Sequence, residues 1–419
     1  MLTFLITVFK IIFILGFLVL IHEGGHFLVA RLCKIRVNEF AIGFGPTIWK
    51  KQGKETKYAI RLIPLGGFVN MEGEEERSEE EGSFSMASIP KRIAVVAAGG
   101  LVNIIFALIT YFILMASLGN NVSTVVDSTI PNQSAEAAGI ISGDKITKIN
   151  NKTIRNKTDF DQILEECNGE RLDVEVERNG EKLQFTITPT AEAYNYTGIA
   201  VKYTKSNQTT EIVTLDPNSP AEVQGLLPGD IITKVNGEDV KGNPQKLLEC
   251  INKSDKLNFE IERGNENIEI TVEPQVRYDY YLGVYLQRAE NNFANNMYYA
   301  FWDTGDFAFS IIDNLKLLFS GGVSVNQLMG PVGIGEVVAE TNGVADFVYI
   351  LALISISLGV TNLLPFAPLD GGKIVLLLLE AIRRKPLKQE TEIKIQMVGF
   401  MLLIGLSIYV AYNDILRIF

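Results

Sequence analysis

Residues that build most enzyme sites are scarce in this 419-residue chain, which has two histidines, His22 and His26, and three cysteines, Cys33, Cys167 and Cys250. Three cysteines so far apart exclude a disulfide-built scaffold and a thiolate metal cluster. Charge is thin at 21% of residues, and 38 Lys and Arg against 49 Asp and Glu give 38 − 49 = −11, which argues against a nucleic-acid surface. Mean hydropathy is nevertheless +0.17, so the apolar residues gather in blocks rather than on faces. At about 100–200 residues per domain the length allows two to four domains.

Four blocks can cross a hydrocarbon layer: the first from the N-terminus to Ile21 with Lys10 as its one charge, then Ile93–Leu118, Phe347–Leu369 and Ile395–Asn413. The first flows into Ile21-His22-Glu23 with no small-residue cleavage site, which favours a retained helix over a removed signal. Lys34, Arg36, Lys50, Lys51, Lys54, Lys57, Arg61, Lys91 and Arg92 follow the first span, and Arg383, Arg384, Lys385 and Lys388 follow the third. Positive residues near span ends mark the cytoplasmic side, so both loops are expected inside, with both termini and the long 119–346 region outside. The acidic run Glu72–Glu81, with seven Glu and one Arg, reads as a solvated segment.

The exported region repeats itself. Ser134-Ala-Glu-Ala-Ala-Gly139 through Gly143-Asp144 to Asn150 returns as Pro220-Ala-Glu-Val-Gln-Gly225 through Gly229-Asp230 to Asn236, an offset of 220 − 134 = 86. Each copy reads as a short helix stopped by Gly, a Gly-Asp turn and an apolar strand, then alternating strands joined by hairpin turns at Asn179-Gly180 and Gly264-Asn265. Two copies suggest a tandem pair of small α/β domains rather than a solenoid. The pattern resembles bacterial PDZ domains, the second copy more than the first, where Ser142 and Asn151 stand for Pro and Gly. Such domains take a peptide as an added strand and hold its terminal carboxylate on backbone N–H groups. Candidate peptide-binding residues are Gly198 and Ile199, and Gly283 and Val284, each loop following one copy; the first loop can equally open copy two. Packing or steric gating without a ligand is the bland alternative.

Both histidines fall in one motif, His22-Glu23-Gly24-Gly25-His26. On a helix, residues i and i+4 share a face, so two imidazoles can grip one Zn²⁺ while Glu23 takes a proton from water. Ionisable residues inside a span are costly and usually functional. Gly24 and Gly25 weaken a helix, which calls for close approach of another helix or of substrate. A hydrolytic zinc site needs a third protein ligand, and Asp370 is the candidate, in Asn362-Leu-Leu-Pro365-Phe-Ala-Pro368-Leu-Asp370-Gly371-Gly372 at the close of the third span. The first and third spans run the same way and reach their ionisable groups after about 20 residues, roughly 30 Å. Prolines and glycines around Asp370 predict a helix break there, tolerated at that depth where it lines a cavity.

These residues resemble the intramembrane site-two metalloproteases, and within them the regulator-of-sigma-E protease group. The likeness covers nearly the whole chain, including Gly43-Phe-Gly45-Pro46, Arg61-Leu-Ile-Pro64-Leu-Gly66-Gly67 and Gly330-Pro331-Val-Gly333-Ile. It implies one Zn²⁺ on His22, His26 and Asp370, Glu23 as general base, and Asn362 holding a substrate helix. It implies as substrate a single-span anti-sigma factor already trimmed outside, or a remnant signal peptide, with the PDZ pair excluding untrimmed proteins by size. The family's usual second proline would stand at 367, where this chain has Ala367 followed by Pro368.

Val37–Met71 alternates like strands with turns at Gly66-Gly67, a hairpin that either dips into the membrane edge to pair with unwound substrate or stays a plain cytoplasmic hairpin. Gly43, Gly45, Gly66, Gly67, Pro365 and Pro368 are therefore substrate-side candidates with Asn362. Phe293–Phe319 carries Asp303, Asp306, Asp313 and Lys316 at helical spacing and reads as interfacial. The expected architecture is a polytopic α-helical membrane protein with four transmembrane helices, a membrane-edge β-hairpin region and two extracytoplasmic PDZ-like α/β domains. In order, it comprises helix one (1–31), a cytoplasmic hairpin loop (32–92), helix two (93–118), PDZ-like domains (119–203 and 204–288), an amphipathic linker (289–343), helix three (344–372), a cytoplasmic loop (373–394) and helix four (395–419). The expected partners are the bacterial cytoplasmic (inner) membrane, with the active site near its cytoplasmic side, single-span protein substrates and peptide C-termini, without nucleic acid. A non-catalytic PDZ scaffold or chaperone with a vestigial metal site is the other class. A metal transporter would want ionisable groups in several spans, and the second and fourth have none.

Overall fold

The computed structural model describes residues 2–74, 76–203, 208–264, 266–320, 330–339, 341 and 343–418. The expected domain boundary at 203/204 and part of the 289–343 linker touch residues outside that set. The chain divides into two compact units, one made of Met1–Leu118 with Asn292–Tyr412, the other chiefly of Gly119–Asn291.

The chain opens with α1 (Leu2–Leu32), whose Lys10, the one charge ahead of the His22–His26 turn, donates to Thr341 Oγ1 at 2.8 Å and to the Thr341 carbonyl at 3.2 Å. Strands β1 (Val37–Gln52) and β2 (Lys57–Met71) follow. The chain reverses between them at Gly53–Thr56, where the Gly53 N–H bonds the Thr56 carbonyl at 2.9 Å. The turn expected at Gly66-Gly67 is thus corrected: both glycines lie inside β2, in a stretch that curls back so that Glu39–Ile42 faces Lys57–Ile60 as well as Gly67–Asn70. Helix α2 (Ile89–Leu118) starts four residues earlier than the uncharged run, because the Arg92 N–H bonds the Ser88 carbonyl at 3.1 Å and Pro90 suits a first turn.

The second unit begins with β3 (Val122–Thr129), α3 (Ser134–Ala138), β4 (Lys145–Ile149), β5 (Lys152–Thr153), α4 (Lys157–Glu166), β6 (Leu172–Arg178), β7 (Glu181–Ile187) and β8 (Thr190–Tyr196). Then come β9 (Ile199–Tyr203), β10 (Gln208–Leu215), α5 (Pro220–Val223), β11 (Ile231–Val235), β12 (Glu238–Asp239), α6 (Pro244–Asn252), β13 (Leu257–Arg263), β14 (Glu266–Val272), β15 (Gln275–Tyr281) and β16 (Val284–Arg288). Asn179 and Gly180 both have positive φ, 53° and 84°, as the hairpin signal required.

Strand pairing corrects the simple tandem of 119–203 and 204–288. One sheet runs β16-β3-β4-β6-β7 and the other β14-β13-β11-β10-β9, while among the described residues β8 pairs with β15 alone. The second lobe is therefore inserted into the first, out along β8 and back along β15. Ile199 opens the second lobe rather than closing the first, and Val284 supplies the first lobe's outer strand. Backbone bonds repeat the logic: Ala135 N–H to the Leu282 carbonyl at 2.9 Å, Ala221 N–H to the Thr197 carbonyl at 3.1 Å. Leu282, 1% exposed, completes a core of Val126, Ile146, Ile149, Leu172, Val174 and Val176. The second lobe buries Ile212, Leu226, Ile232, Val235, Leu257 and Phe259 in its own. All three cysteines are free, Cys167 and Cys250 each inside one of these cores.

The chain returns to the first unit as α7 (Phe293–Ser320), α8 (Pro331–Ala339), α9 (Val344–Asn362), α10 (Asp370–Arg383) and α11 (Gln389–Ile418). Among the described residues four helices are long and apolar enough to cross a membrane: Leu5–Leu32, Ile89–Leu118, Val344–Asn362 and Gln389–Ile415. The third ends at Asn362, seven residues short of the expected Leu369, and Asp370 starts a new helix where a cytoplasmic loop was expected from 373. An acid in a first turn suits the positive end of the helix dipole, and Ile374 and Leu377 turn α10's apolar side into the core. Helices α1, α2 and α9 pack through small residues: a Cβ on Gly25 would stand 2.6 Å from the Ala98 carbonyl, and one on Gly359 2.6 Å from the Gly100 carbonyl. Helix α7 lays Phe307, Ala308, Ile311 and Ile312 against Ala107, Ile356 and Val360.

Candidate metal centre

One turn of α1 separates His22 from His26, both 9% exposed, and their Nε2 atoms stand 3.2 Å apart. Asp370 Oδ2, brought in by the first turn of α10, is 3.3 Å from each. That oxygen is buried without a hydrogen-bond donor. Three electron-rich atoms converging on one point repel one another unless a cation lies among them. Tetrahedral zinc with bonds of about 2.0–2.1 Å spaces its ligands by roughly 3.3–3.4 Å, so the donor set and its spacing fit Zn²⁺.

Helix α2 orients the ligands. His26 Nδ1 donates to the Val95 carbonyl at 2.8 Å, which leaves Nε2 with its lone pair. His22 Nδ1 lies 3.3 Å from the side-chain amide of Asn103, a fully buried residue whose Oδ1 has no partner. A half-turn of the amide about its side chain lets Oδ1 accept from His22 Nδ1–H, freeing the second Nε2 as well. Ser355 Oγ of α9 donates to the Asn103 backbone carbonyl at 2.8 Å and fixes α2 at that level. Gly99 makes the room: a Cβ there would stand 2.7 Å from His22 Cε1 and still closer to His26 Nε2.

Glu23 is half-buried and follows His22 on the same turn of α1. Gly67 packs against it, since a Cβ on Gly67 would lie 3.1 Å from Glu23 Cγ. Gly24 has nothing within 4 Å of its Cβ position, so of the two motif glycines only Gly25 answers to helix packing. The 363–369 loop folds over the start of α10, where a Cβ on Gly371 would overlap the Leu363 and Leu364 carbonyls and one on Gly372 would come 2.5 Å from Ala367 N. Asn362, half-buried, ends α9; Pro365 and Pro368 are exposed, and the Ala367–Pro368 bond is cis.

The structure thus gathers His22, Glu23, His26, Asp370 and Gly67. It does not bring Gly43, Gly45 or Gly66 into contact with them: Gly43 (φ 86°) packs on the Ile63 carbonyl, Gly45 (φ 85°) near the Ile63 side chain and Gly66 (φ 110°) under the Phe44 ring. Gly198 and Gly283 sit in the two lobes, both at φ 78°, one beside Ser219 and the other beside Gln133. Sequence reasoning missed Val95, Gly99 and Asn103 as partners of the imidazoles. Asn103 carried a signal, a hydrogen-bonding amide in the middle of an uncharged span.

Residues 10–406 match peptidase family M50. The chain is 30% identical to the regulator of sigma E protease of Haemophilus influenzae, over 99% of this chain and 100% of that one. It is likewise 30% identical to the regulator of sigma-E protease RseP of Escherichia coli, over the full length of both. Identity is 28% to the zinc metalloprotease RasP of Shouchella clausii, over 99% of each chain. Because the match runs from the first span through the last and takes in both histidines and Asp370, this chain belongs to peptidase family M50 and is a metalloprotease.

Proposed function

We infer that the enzyme cleaves transmembrane segments of single-span membrane proteins within the bilayer. The observation that carries this reading is the convergence of Asp370 on His22 and His26, donors 3.2–3.3 Å apart, where the two histidines lie on an apolar helix long enough to span. These three residues would hold Zn²⁺, which when bound would supply Lewis acidity toward the scissile carbonyl and lower the pKa of water at the site. Glu23 takes the proton of the attacking water and delivers it to the leaving amide nitrogen. Val95 and Asn103 hold the imidazole tautomers while this happens.

A helix hides its amides in its own hydrogen bonds, so substrate must be unwound before attack. The β2 strand that carries Gly67 past Glu23 is the natural partner for the extended segment, by strand addition. Phe44, Ile48, Trp49, Leu62 and Ile63 of the hairpin are exposed apolar side chains, which supports its seating at the membrane edge. Asn362 and the loop through Pro365 and Pro368, directly before Asp370, hold the other side. The lysine and arginine clusters after the first and third spans support a site near the cytoplasmic face of a bacterial inner membrane, with both termini and the two lobes outside. The lobes act as PDZ domains: Gly283 and Val284 form the carboxylate loop of the first, Gly198 and Ile199 that of the second. Substrates are anti-sigma factors trimmed at their exported side, or remnant signal peptides.

The test is purification in detergent, measurement of bound zinc, and cleavage of a short-ectodomain transmembrane reporter by wild type, Glu23→Gln and Asp370→Ala. Zinc retained in Glu23→Gln and weakened in Asp370→Ala, with turnover lost in both, is the expected result. Turnover intact in Glu23→Gln would make the base assignment wrong.

A further inference from the structure

Outside the metal centre, two ionic ties hold α10 among the described residues, and they differ in kind. Arg92 of α2 grips Glu380 with two hydrogen bonds, at 2.6 and 3.2 Å, ten residues beyond Asp370. Lys373 Nζ instead reaches Glu74 Oε1 at 2.6 Å, with both side chains 20% exposed and the ammonium 5.0 Å over the Phe84 ring. Lys373 follows Asp370 by three residues and so shares its side of the helix. Glu74 belongs to the turn that continues β2, pinned by the Glu74 N–H to the Met71 carbonyl at 3.3 Å and the Phe84 N–H to the Glu72 carbonyl at 2.7 Å. The pair therefore joins the strand that presents Gly67 to Glu23 with the helix that presents Asp370. A pair this exposed contributes little to stability.

We propose that Lys373 and Glu74 are positioning residues for the cleavage reaction, latching the substrate-side hairpin to the helix of the third ligand. The inference rests on the reading of Asp370 as ligand and Glu23 as base. It is tested with the full-length protein in detergent as Lys373→Met, Glu74→Gln and the charge-swapped K373E/E74K. Zinc affinity is read by chelator competition, kcat and KM on the transmembrane reporter, and folding by thermal denaturation. Each single variant should lower kcat about 10- to 100-fold with Tm near wild type, Lys373→Met should release zinc faster, and the swap should recover kcat. Wild-type kcat and zinc affinity in both single variants would overturn the latch. So would a loss that tracks a fall in Tm and is not recovered by the swap, because that is a structural role. Glu23→Gln and Asp370→Ala run alongside: if they stay active, the site reading itself fails, whereas if they are dead while the tie variants are active, only the latch fails.

Discussion

Replacing Gly99 with alanine separates helix stability from site geometry. In a helix interior alanine is favoured over glycine by about 0.8–1 kcal/mol, so Gly99→Ala should leave α2 at least as stable as before. The added Cβ, however, would stand 2.7 Å from His22 Cε1 and 2.8 Å from His22 Nε2, and nearer still to His26 Nε2. Carbon atoms at ease keep roughly 3.5–4.0 Å apart, so a ring must retreat by about 1 Å. Metal–ligand distances tolerate only about 0.2 Å, and α2 cannot recede because Gly25 and Gly100 already bring it against α1 and α9. Zinc affinity should fall by at least about 100-fold with no loss of helicity or Tm of the metal-free protein. Elemental analysis after purification, chelator competition and circular dichroism would measure this. Gly24→Ala is the control, with nothing within 4 Å of its Cβ, and should keep its zinc. Wild-type zinc affinity in Gly99→Ala would refute the assignment of the imidazole pair as the ligand site.

Other outcomes follow from the same geometry. Asn103→Ala should weaken zinc by about 10- to 100-fold, read by the same competition, because His22 loses the partner that sets its tautomer. Leu282→Ala should destabilise the first lobe by about 2–5 kcal/mol and leave the second unchanged, seen as lost amide-exchange protection in β3, β4 and β6 alone. Asp144 makes stability depend on pH. Burial works to raise its carboxyl, but the Arg178 guanidinium at 2.7 and 2.8 Å and the Ile141 N–H at 2.9 Å outweigh that and hold it below the usual range. Its contribution is thus complete above the unfolded value of about 3.9 and disappears as pH falls through the lower folded value. Exchange at Ile141 should therefore stay slow at pH 5 and quicken below pH of about 4; an unchanged profile would contradict the pairing.

Asp230 and Arg263 repeat this clamp in the second lobe, again at 2.7 and 2.8 Å. The repeat was plain in the sequence as Gly143-Asp144 and Gly229-Asp230, but the arginines that hold it lie 34 and 33 residues on, beyond any local pattern.

What the sequence determined by itself was whatever local chemistry encodes. An uncharged run long enough to span, two histidines one helical turn apart, an Asn-Gly hairpin and a copied turn each carry their structure within a few residues, because hydrophobic length, helical pitch and backbone sterics are local. What only the tertiary structure decided was partnership. Nothing in the order of residues said that β8 would pair with β15 and so insert one lobe into the other, since strand partners are chosen by which edges remain unpaired. Nor could spacing show that Asp370 begins a helix, that Gly99 leaves space for two imidazoles, or that Val95 and Asn103 would face their Nδ1 atoms. Those facts depend on which faces of α1, α2 and α10 meet, and close packing fixes that only once the small residues have let the helices approach.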